Sequence, residues 1–326
     1  MLHDNDHKRA ARKDKEINKL VPSTIGECAI GTAEGSPCSP APVIAAMGAI
    51  VGADGPADAI LGAAKSKTRC TTEKCVLKTL APQLERTLGP QLVKGVLQNN
   101  FKIDGPRDAS WLSNVNIDAV MAQWGTKFPG FYPWTFNMVN YKNYSFSDRG
   151  IVHAPDTLAT VSFCDLYRGT CATVPGRYTH GGCVINADRY QGKGTHWMAL
   201  FVDARNPRAP TVEFFNSSGN NPQPEYVNWM VKTDHCLRET IPGSRPKLIN
   251  ACRRRHQQTT SECGVYSLFY IWARLNGTPA SYFLEKPIDD QLMFEFRHHL
   301  FAGPGQQEGA FDWEAFTSRV KVKWER

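Results

Sequence analysis

Three side chains in this sequence are of the types that catalysis by a thiol requires. They are His196 in Gly194-Thr195-His196-Trp197, Asn216 in Phe214-Phe215-Asn216-Ser217, and Cys263 in His256-Gln257-Gln258-Thr259-Thr260-Ser261-Glu262-Cys263-Gly264. A cysteine hydrolase needs a sulfur nucleophile, an imidazole to take its proton, and a third group to orient the ring. Asn216 can accept an imidazole N–H and so hold one tautomer. Gln257 carries an amide donor that, with a backbone N–H at the start of a helix, can face a developing oxyanion. Gln258 is a competing candidate for that task. Each residue also has an ordinary reading: a packed cysteine, a structural histidine, and a turn at Asn216-Ser217-Ser218-Gly219. Their joint occurrence favours chemistry.

These groups must be held by particular elements. His196 to Asp203 and Thr211 to Phe215 have strand composition, and Ala204 to Pro210 between them is turn chemistry, so a hairpin is predicted. If the hairpin is symmetric about Asn206, paired positions sum to about 412 and His196 stands directly opposite Asn216. A slip of one residue would put one of them on the other face. Cys263 to Leu275 is apolar nearly all round and reads as a buried helix, with Thr260 or Ser261 as its N-cap. A thiol in the first turn would see the positive end of the helix dipole, which is expected to lower its pKa. Gly264 keeps the following backbone open.

The wider composition sets limits. The chain has 326 residues with 41% hydrophobic and 21% charged content, which excludes wholesale disorder and a disulfide-dense miniprotein. The longest apolar stretch, residues 41–52, is too short to span a membrane, so no membrane insertion is expected. The first residues lack the apolar core of a secretory signal, and the ten cysteines are expected to be free thiols. Cys70 and Cys75 have the spacing of half a zinc site, but no second pair supplies the other ligands, so no metal is expected. The net charge of +7 is a mild excess, and nucleic acid is only weakly supported as a partner. Arg253-Arg254-Arg255-His256, the densest basic patch, is either a solvated loop or a contact for an acidic partner.

Residues 1–105 read as a mostly helical N-terminal arm. Lys8 to Lys19 fits an exposed helix, and residues 21–64 a small-residue helical segment. Val76, Leu80, Leu84, Leu88, Leu92 and Val96 recur every four residues, with a break at Gly89-Pro90. Gly105-Pro106 marks the boundary to a core over 106–302, and 303–326 form a C-terminal extension. Within the core, Ala159 to Cys164 and Cys183 to Ile185 fit short strands, and Tyr282 to Leu300 is a second helical region. The predicted class is α+β, a mixed sheet flanked by helices.

His-Trp, an amide residue about 20 positions on, and Gln-x5-Cys-Gly together resemble the adenain and ubiquitin-like-protein-specific cysteine protease clan, and most of all its viral polyprotein-processing members of the African swine fever virus type. Gly105-Pro106-Arg107, Asn116-Ile117-Asp118, Val212 to Ser217, Arg255-His256-Gln257, Glu262-Cys263-Gly264, Tyr266 to Ile271 and Phe296 to Phe301 carry the similarity. It spans 105–301 and reaches upstream through Cys70 to Val76. The resemblance implies that His196 is the general base, Asn216 its orienting partner, Cys263 the nucleophile and Gln257 the oxyanion side chain. Deconjugating relatives usually carry Asp where this chain has Asn216.

Trp111 to Ile117 resembles the segment that opens the catalytic domain of such proteases. Trp111 and Trp197 would then enclose a narrow channel for a Gly-Gly tail; otherwise both are core tryptophans. The implied function is cleavage of viral structural polyproteins after Gly-Gly during virion maturation, at assembly sites in the host cytoplasm and in the virion, with no cofactor. The arm would bind the polyprotein, dock on capsid or core-shell proteins, or stabilise the core. An isopeptidase acting on a ubiquitin-like modifier, and a non-enzymatic capsid or nucleic-acid-binding protein, are the alternatives.

Overall fold

A computed structural model of the chain describes residues 17–22, 26–142, 146–147, 150–151, 157–190, 192–285 and 287–303. The chain divides into two compact units. Among the described residues, one comprises 21–107 with 297–303 and the other 17–20 with 108–296. The expected helix over Lys8 to Lys19 lies outside the described residues except for 17–19, and of the C-terminal extension only Gly303 is described.

The first unit is built on four helices, α1 (Ala41–Val51), α2 (Ala57–Thr68), α3 (Glu73–Leu88) and α4 (Pro90–Asn99). Val76, Leu80 and Leu84 enter its core with Val43, Met47, Ile60 and Val93. The fourfold apolar repeat does not continue through Gly89-Pro90. Pro90 restarts the helix in a new register, so Val93 and Val96 face inward while Leu92 is 41% exposed. Thr72 caps α3 by accepting the Cys75 N–H at 3.2 Å.

The second unit carries α5 (Asn114–Lys127), β1 (Phe131–Pro133), the small β2 (Phe146–Ser147) and β3 (Gly150–Ile151) pair, α6 (Phe163–Arg168), β4 (His180–Asn186), β5 (Trp197–Asp203), β6 (Thr211–Phe215), α7 (Pro224–Thr240), β7 (Lys247–Ala251), α8 (Cys263–Leu275), α9 (Tyr282–Glu285) and α10 (Asp290–Leu300), the last shared with the first unit. Five strands form a mixed sheet in the order β1-β4-β5-β6-β7, with β1–β4 and β6–β7 parallel and the central pairs antiparallel. β4 is buried throughout, as a strand covered on both faces must be. Met198, Leu200 and Val202 of β5 pack with Tyr226, Trp229 and Leu237 of α7 on one face. On the other face lies α8, with Tyr270 stacked on Phe215 at 4.6 Å and the Arg274 guanidinium 5.5 Å above Phe201. All of α8 is buried, as its apolar composition predicts. The observed class is α+β.

Several expectations are corrected. Ala159 to Cys164 is not a strand: residues 157–160 turn and α6 begins at Phe163, which places Phe163 and Leu166 in the α7-side core. Tyr282 to Leu300 is helical as expected, in two helices on either side of Pro287. The cysteines are not all free thiols. Cys28–Cys38, Cys70–Cys75 and Cys164–Cys236 are disulfides with Cα–Cα distances of 5.1, 5.6 and 6.3 Å, all within bridging range. Cys171, Cys183, Cys252 and Cys263 are free. Cys70 and Cys75 are the closely spaced pair that the sequence marks, whereas Cys28–Cys38 and Cys164–Cys236 join thiols that only tertiary packing brings together. Among the described residues no group of His, Cys, Asp and Glu could hold a metal, and no helix is long and apolar enough to cross a membrane.

Glu213 in β6 is fully buried, and its carboxylate accepts from Arg274 Nε and Nη2, both at 2.8 Å, from Tyr270 Oη at 2.7 Å, and from Thr211 Oγ1. Asp203 takes a further Arg274 bond at 3.0 Å. Arg274→Met is expected to destabilise this unit by about 3–5 kcal/mol, because it strands a buried carboxylate. The double variant Arg274→Met/Glu213→Leu is expected to regain most of that in urea unfolding; equal losses in both would show that no ionic penalty is involved.

Candidate active site

The loop between β4 and β5 delivers His196. Asn186 Oδ1 accepts the Asp188 and Thr195 N–H groups at 2.9 and 3.2 Å, and Asp188 Oδ2 accepts the Gly194 N–H at 3.1 Å. Gly194 has φ +78°, a conformation that favours glycine. The Ala187 N–H then binds the His196 carbonyl at 2.9 Å, closing the loop just before β5.

Asn216 follows directly on β6. His196 Nε2 lies 2.7 Å from Asn216 Oδ1. The predicted proximity is present, but the strand register differs: Ala199 pairs with Phe215 and Leu200 with Phe214, two residues away from the symmetric arrangement about Asn206. A shift of two keeps the same face, so the pair meets diagonally across the strand ends. The amide orientation of Asn216 is set by its other partners. Its Nδ2 donates to Asn220 O at 3.0 Å, and its Oδ1 accepts the Ser218 N–H at 3.0 Å and Ser218 Oγ at 2.8 Å. An amide oxygen only accepts, so His196 carries its proton on Nε2 and leaves Nδ1 as the basic nitrogen.

Cys263 is the first residue of α8, as the sequence implies. The N-cap position belongs to Glu262 and makes no side-chain cap bond, so neither Thr260 nor Ser261 has the expected capping role. Ser261 Oγ instead lies 3.3 Å from the Glu262 carboxylate, since both residues are folded inward. The expected low thiol pKa is also not found. Burial pushes the Cys263 thiol up to about 11, and the Glu262 charge adds to the rise. Opposing hydrogen bonds from the backbone N–H groups of Trp197, Gly264 and Cys263 itself do not overcome it. Helix-terminus stabilisation is worth about 1 kcal/mol, whereas complete burial shifts a thiol by several pK units. Burial likewise lowers the His196 pKa, against the raising effect of its Asn216 bond.

The Trp197 N–H hydrogen bond to the sulfur brings Cys263 next to the residue that follows His196. A Cβ at Gly264 would lie 3.2 Å from the Leu112 side chain and 3.3 Å from Trp197 Cδ1, tighter than ordinary contact, so glycine lets α8 approach this wall. Trp197 donates its indole N–H to Leu112 O at 3.1 Å and is buried. Trp111, one residue before Leu112, is 51% exposed, so it is not a core tryptophan.

Gln257 is buried, and its Oε1 accepts from Ser217 Oγ at 2.8 Å. Gln258 is exposed and folds its side chain back on the His256 carbonyl at 3.3 Å. The two candidates thus have different environments, and only Gln257 is turned into the protein beside Asn216. The loop that carries them is clamped by Asp290, whose carboxylate accepts the N–H groups of Gln258 at 3.0 Å and Thr259 at 2.7 Å and the Tyr266 hydroxyl at 2.6 Å. Sequence reasoning missed Asp290, Ser217 and Asn186; their signal lies in tertiary pairing, not in local pattern. Arg253, Arg254 and Arg255 are exposed, while His256 is buried against Phe215. Chemically, the arrangement offers a thiol, an imidazole of defined tautomer and a side-chain amide along one end of the sheet.

No protein-family model matches the chain. It is 34% identical over 247 residues, 73% of its length and 85% of the relative's, to a protein named cysteine protease from the Malawi tick isolate of African swine fever virus. Its counterpart in the Kenya pig isolate, also 34% identical over 247 residues with the same coverage, is named SUMO-1 cysteine protease. A crystal structure of the African swine fever virus protease matches with a TM-score of 0.66 at 28% identity, covering 87% of this chain and 98% of that one.

With the thiol pKa up and the imidazole pKa down, both groups are neutral in the resting protein. Ultraviolet thiolate absorbance of the free enzyme is therefore expected to be absent at neutral pH and to appear towards pH of about 11. Because protonated His196 cannot take the thiol proton, activity should fall with acid only below the ordinary histidine value of 6.5. Full thiolate absorbance at neutral pH would mean a preformed ion pair and contradict this description.

Proposed function

This chain belongs to the African swine fever virus cysteine protease family, and from that premise we propose that it is an endopeptidase cutting viral structural polyproteins after Gly-Gly pairs during virion maturation. That it is a cysteine protease follows from the family. The observation that carries the finer reading is the wall beside the nucleophile. Half-exposed Trp111 and buried Trp197 flank Leu112, and a Cβ at Gly264 would lie 3.2 Å from the Leu112 side chain, closer than ordinary contact. Indole and aliphatic surface beside the nucleophile favours substrate residues that lack side chains.

Catalysis follows from the geometry. His196 Nδ1 removes the thiol proton as Cys263 Sγ bonds to the glycyl carbonyl carbon, and the C=O electron pair moves onto oxygen. Gln257 Nε2 and a backbone N–H at the start of α8 stabilise that oxyanion. Collapse breaks the C–N bond, and His196 returns the proton to the leaving amine. His196 then deprotonates a water that releases the acyl group. Asn216 keeps the ring in one tautomer but, being neutral, stabilises the imidazolium less than a carboxylate would. Activity on structural polyproteins puts the enzyme at assembly sites in the host cytoplasm and within the virion, with the helical unit available to core-shell or capsid proteins.

The name SUMO-1 cysteine protease carried by several relatives favours a second reading, removal of a ubiquitin-like modifier by the same chemistry. Under reducing conditions, wild type is expected to cleave a short Gly-Gly-Xaa peptide and Cys263→Ala to lose essentially all turnover, about 10⁴-fold or more. Cleavage only of a folded modifier would favour the second reading. Equal turnover by both forms would refute the assignment of the nucleophile.

A further inference from the structure

We propose that Ser217 is a positioning residue, which fixes the orientation of the Gln257 amide so that nitrogen and not oxygen faces the reacting carbonyl. This rests on the protease reading above. The two ends of a glutamine amide are nearly the same size and opposite in hydrogen-bond character. With nitrogen towards the oxyanion the amide stabilises it; with oxygen there it repels it. Only an interaction at the other end of the amide can set the choice.

Ser217 supplies that interaction. Its hydroxyl donates to Gln257 Oε1 at 2.8 Å inside the protein, where Ser217 is 1% and Gln257 6% exposed. Rotation of the amide would place N–H groups against the hydroxyl and force its proton to find another acceptor in a space closed to solvent. The backbones are tied as well: the Ser217 carbonyl accepts the His256 N–H at 2.8 Å and the Gln257 N–H at 3.0 Å. These two bonds hold the Gln257 main chain without the Ser217 side chain. The hydroxyl is thus left with a single effect, the direction of the amide. Ser217 is also joined by one peptide bond to Asn216, which orients His196. The base and the oxyanion donor are therefore oriented from adjacent residues.

The test is a double-mutant cycle on full-length enzyme with a Gly-Gly-Xaa peptide. Gln257→Ala should lower kcat by about 100-fold or more. Ser217→Ala should lower kcat by about 10-fold while KM stays within about twofold, because only transition-state binding is affected. In the Gln257→Ala background, Ser217→Ala should cost less than about twofold, since there is no amide left to orient. Ser217→Thr, which keeps the hydroxyl, should restore most of kcat. Melting temperatures confirm folding, and if the alanine variant does not fold, Ser217→Cys, nearly isosteric with a weak donor, provides the same comparison.

An equal loss from Ser217→Ala in both backgrounds, or a rise in KM alone, would overturn the proposal. If Gln257→Ala keeps wild-type kcat while Cys263→Ala is dead, the protease reading stands and the roles of Gln257 and Ser217 both fall. Turnover retained in Cys263→Ala would remove the nucleophile itself and with it the basis for Ser217.

Discussion

The position of α8 along the sheet is the constraint on which the site depends, and the buried Glu213–Arg274 pair sets it. Arg274 lies eleven residues from Cys263, about 16 Å along a helix. Its two bonds to Glu213, with Tyr270 donating to the same carboxylate and stacked on Phe215, leave no freedom for the helix to slide. Glu213 sits three residues before Asn216 in the same stretch of chain. One ionic contact on the far side thus registers the helix that presents the thiol against the strand that presents the orienting amide. Buried charge of this kind contributes little net stability, but it penalises every other register.

The near side is held by smaller bonds, in which each reactive side chain is oriented through an atom tied by a neighbour. Asn220 and Ser218 tie Asn216, Asn216 ties His196, and Ser217 ties Gln257. Asp290 holds the loop carrying Gln257 through the N–H groups of the next two residues. Preorganisation of this kind avoids reorganisation at the moment of reaction.

Much of this was legible in residue types. His196, Asn216, Cys263 and Gln257 could be selected because thiol chemistry demands those groups, and the apolar run after Cys263 announced a buried helix. The hairpin was legible, but its register was two residues off, because turn composition does not state where pairing begins. The β7 strand and α7 helix went unread: Lys247–Ala251 is mostly exposed at a sheet edge, and α7 mixes charged and apolar residues too evenly for a short-window signal. Disulfide partners and the Asp290 clamp depend on contacts between distant residues. The thiol pKa failed for the same reason. The helix dipole can be read from position, whereas burial depends on Leu112, Trp197 and the sheet arriving together.

That burial changes how the chemistry must proceed. Burial raises the Cys263 thiol to about 11 and lowers the His196 imidazole, and both shifts oppose proton transfer between them in the resting site. Both shifts favour the neutral forms over a thiolate–imidazolium pair, and the neutral Asn216 adds no charge to offset them. Proton transfer becomes favourable only as sulfur bonds to carbon, when negative charge passes from sulfur to the carbonyl oxygen. In such a concerted step the receiving end of that charge must be stabilised at least as well as the departing end. On the proposed assignment, Gln257 and the backbone N–H groups at the start of α8 would carry the weight that a preformed ion pair would otherwise take. A neutral resting thiol is also a poorer target for oxidants than a thiolate. The burial that slows a free thiol thus also shields it from oxidants.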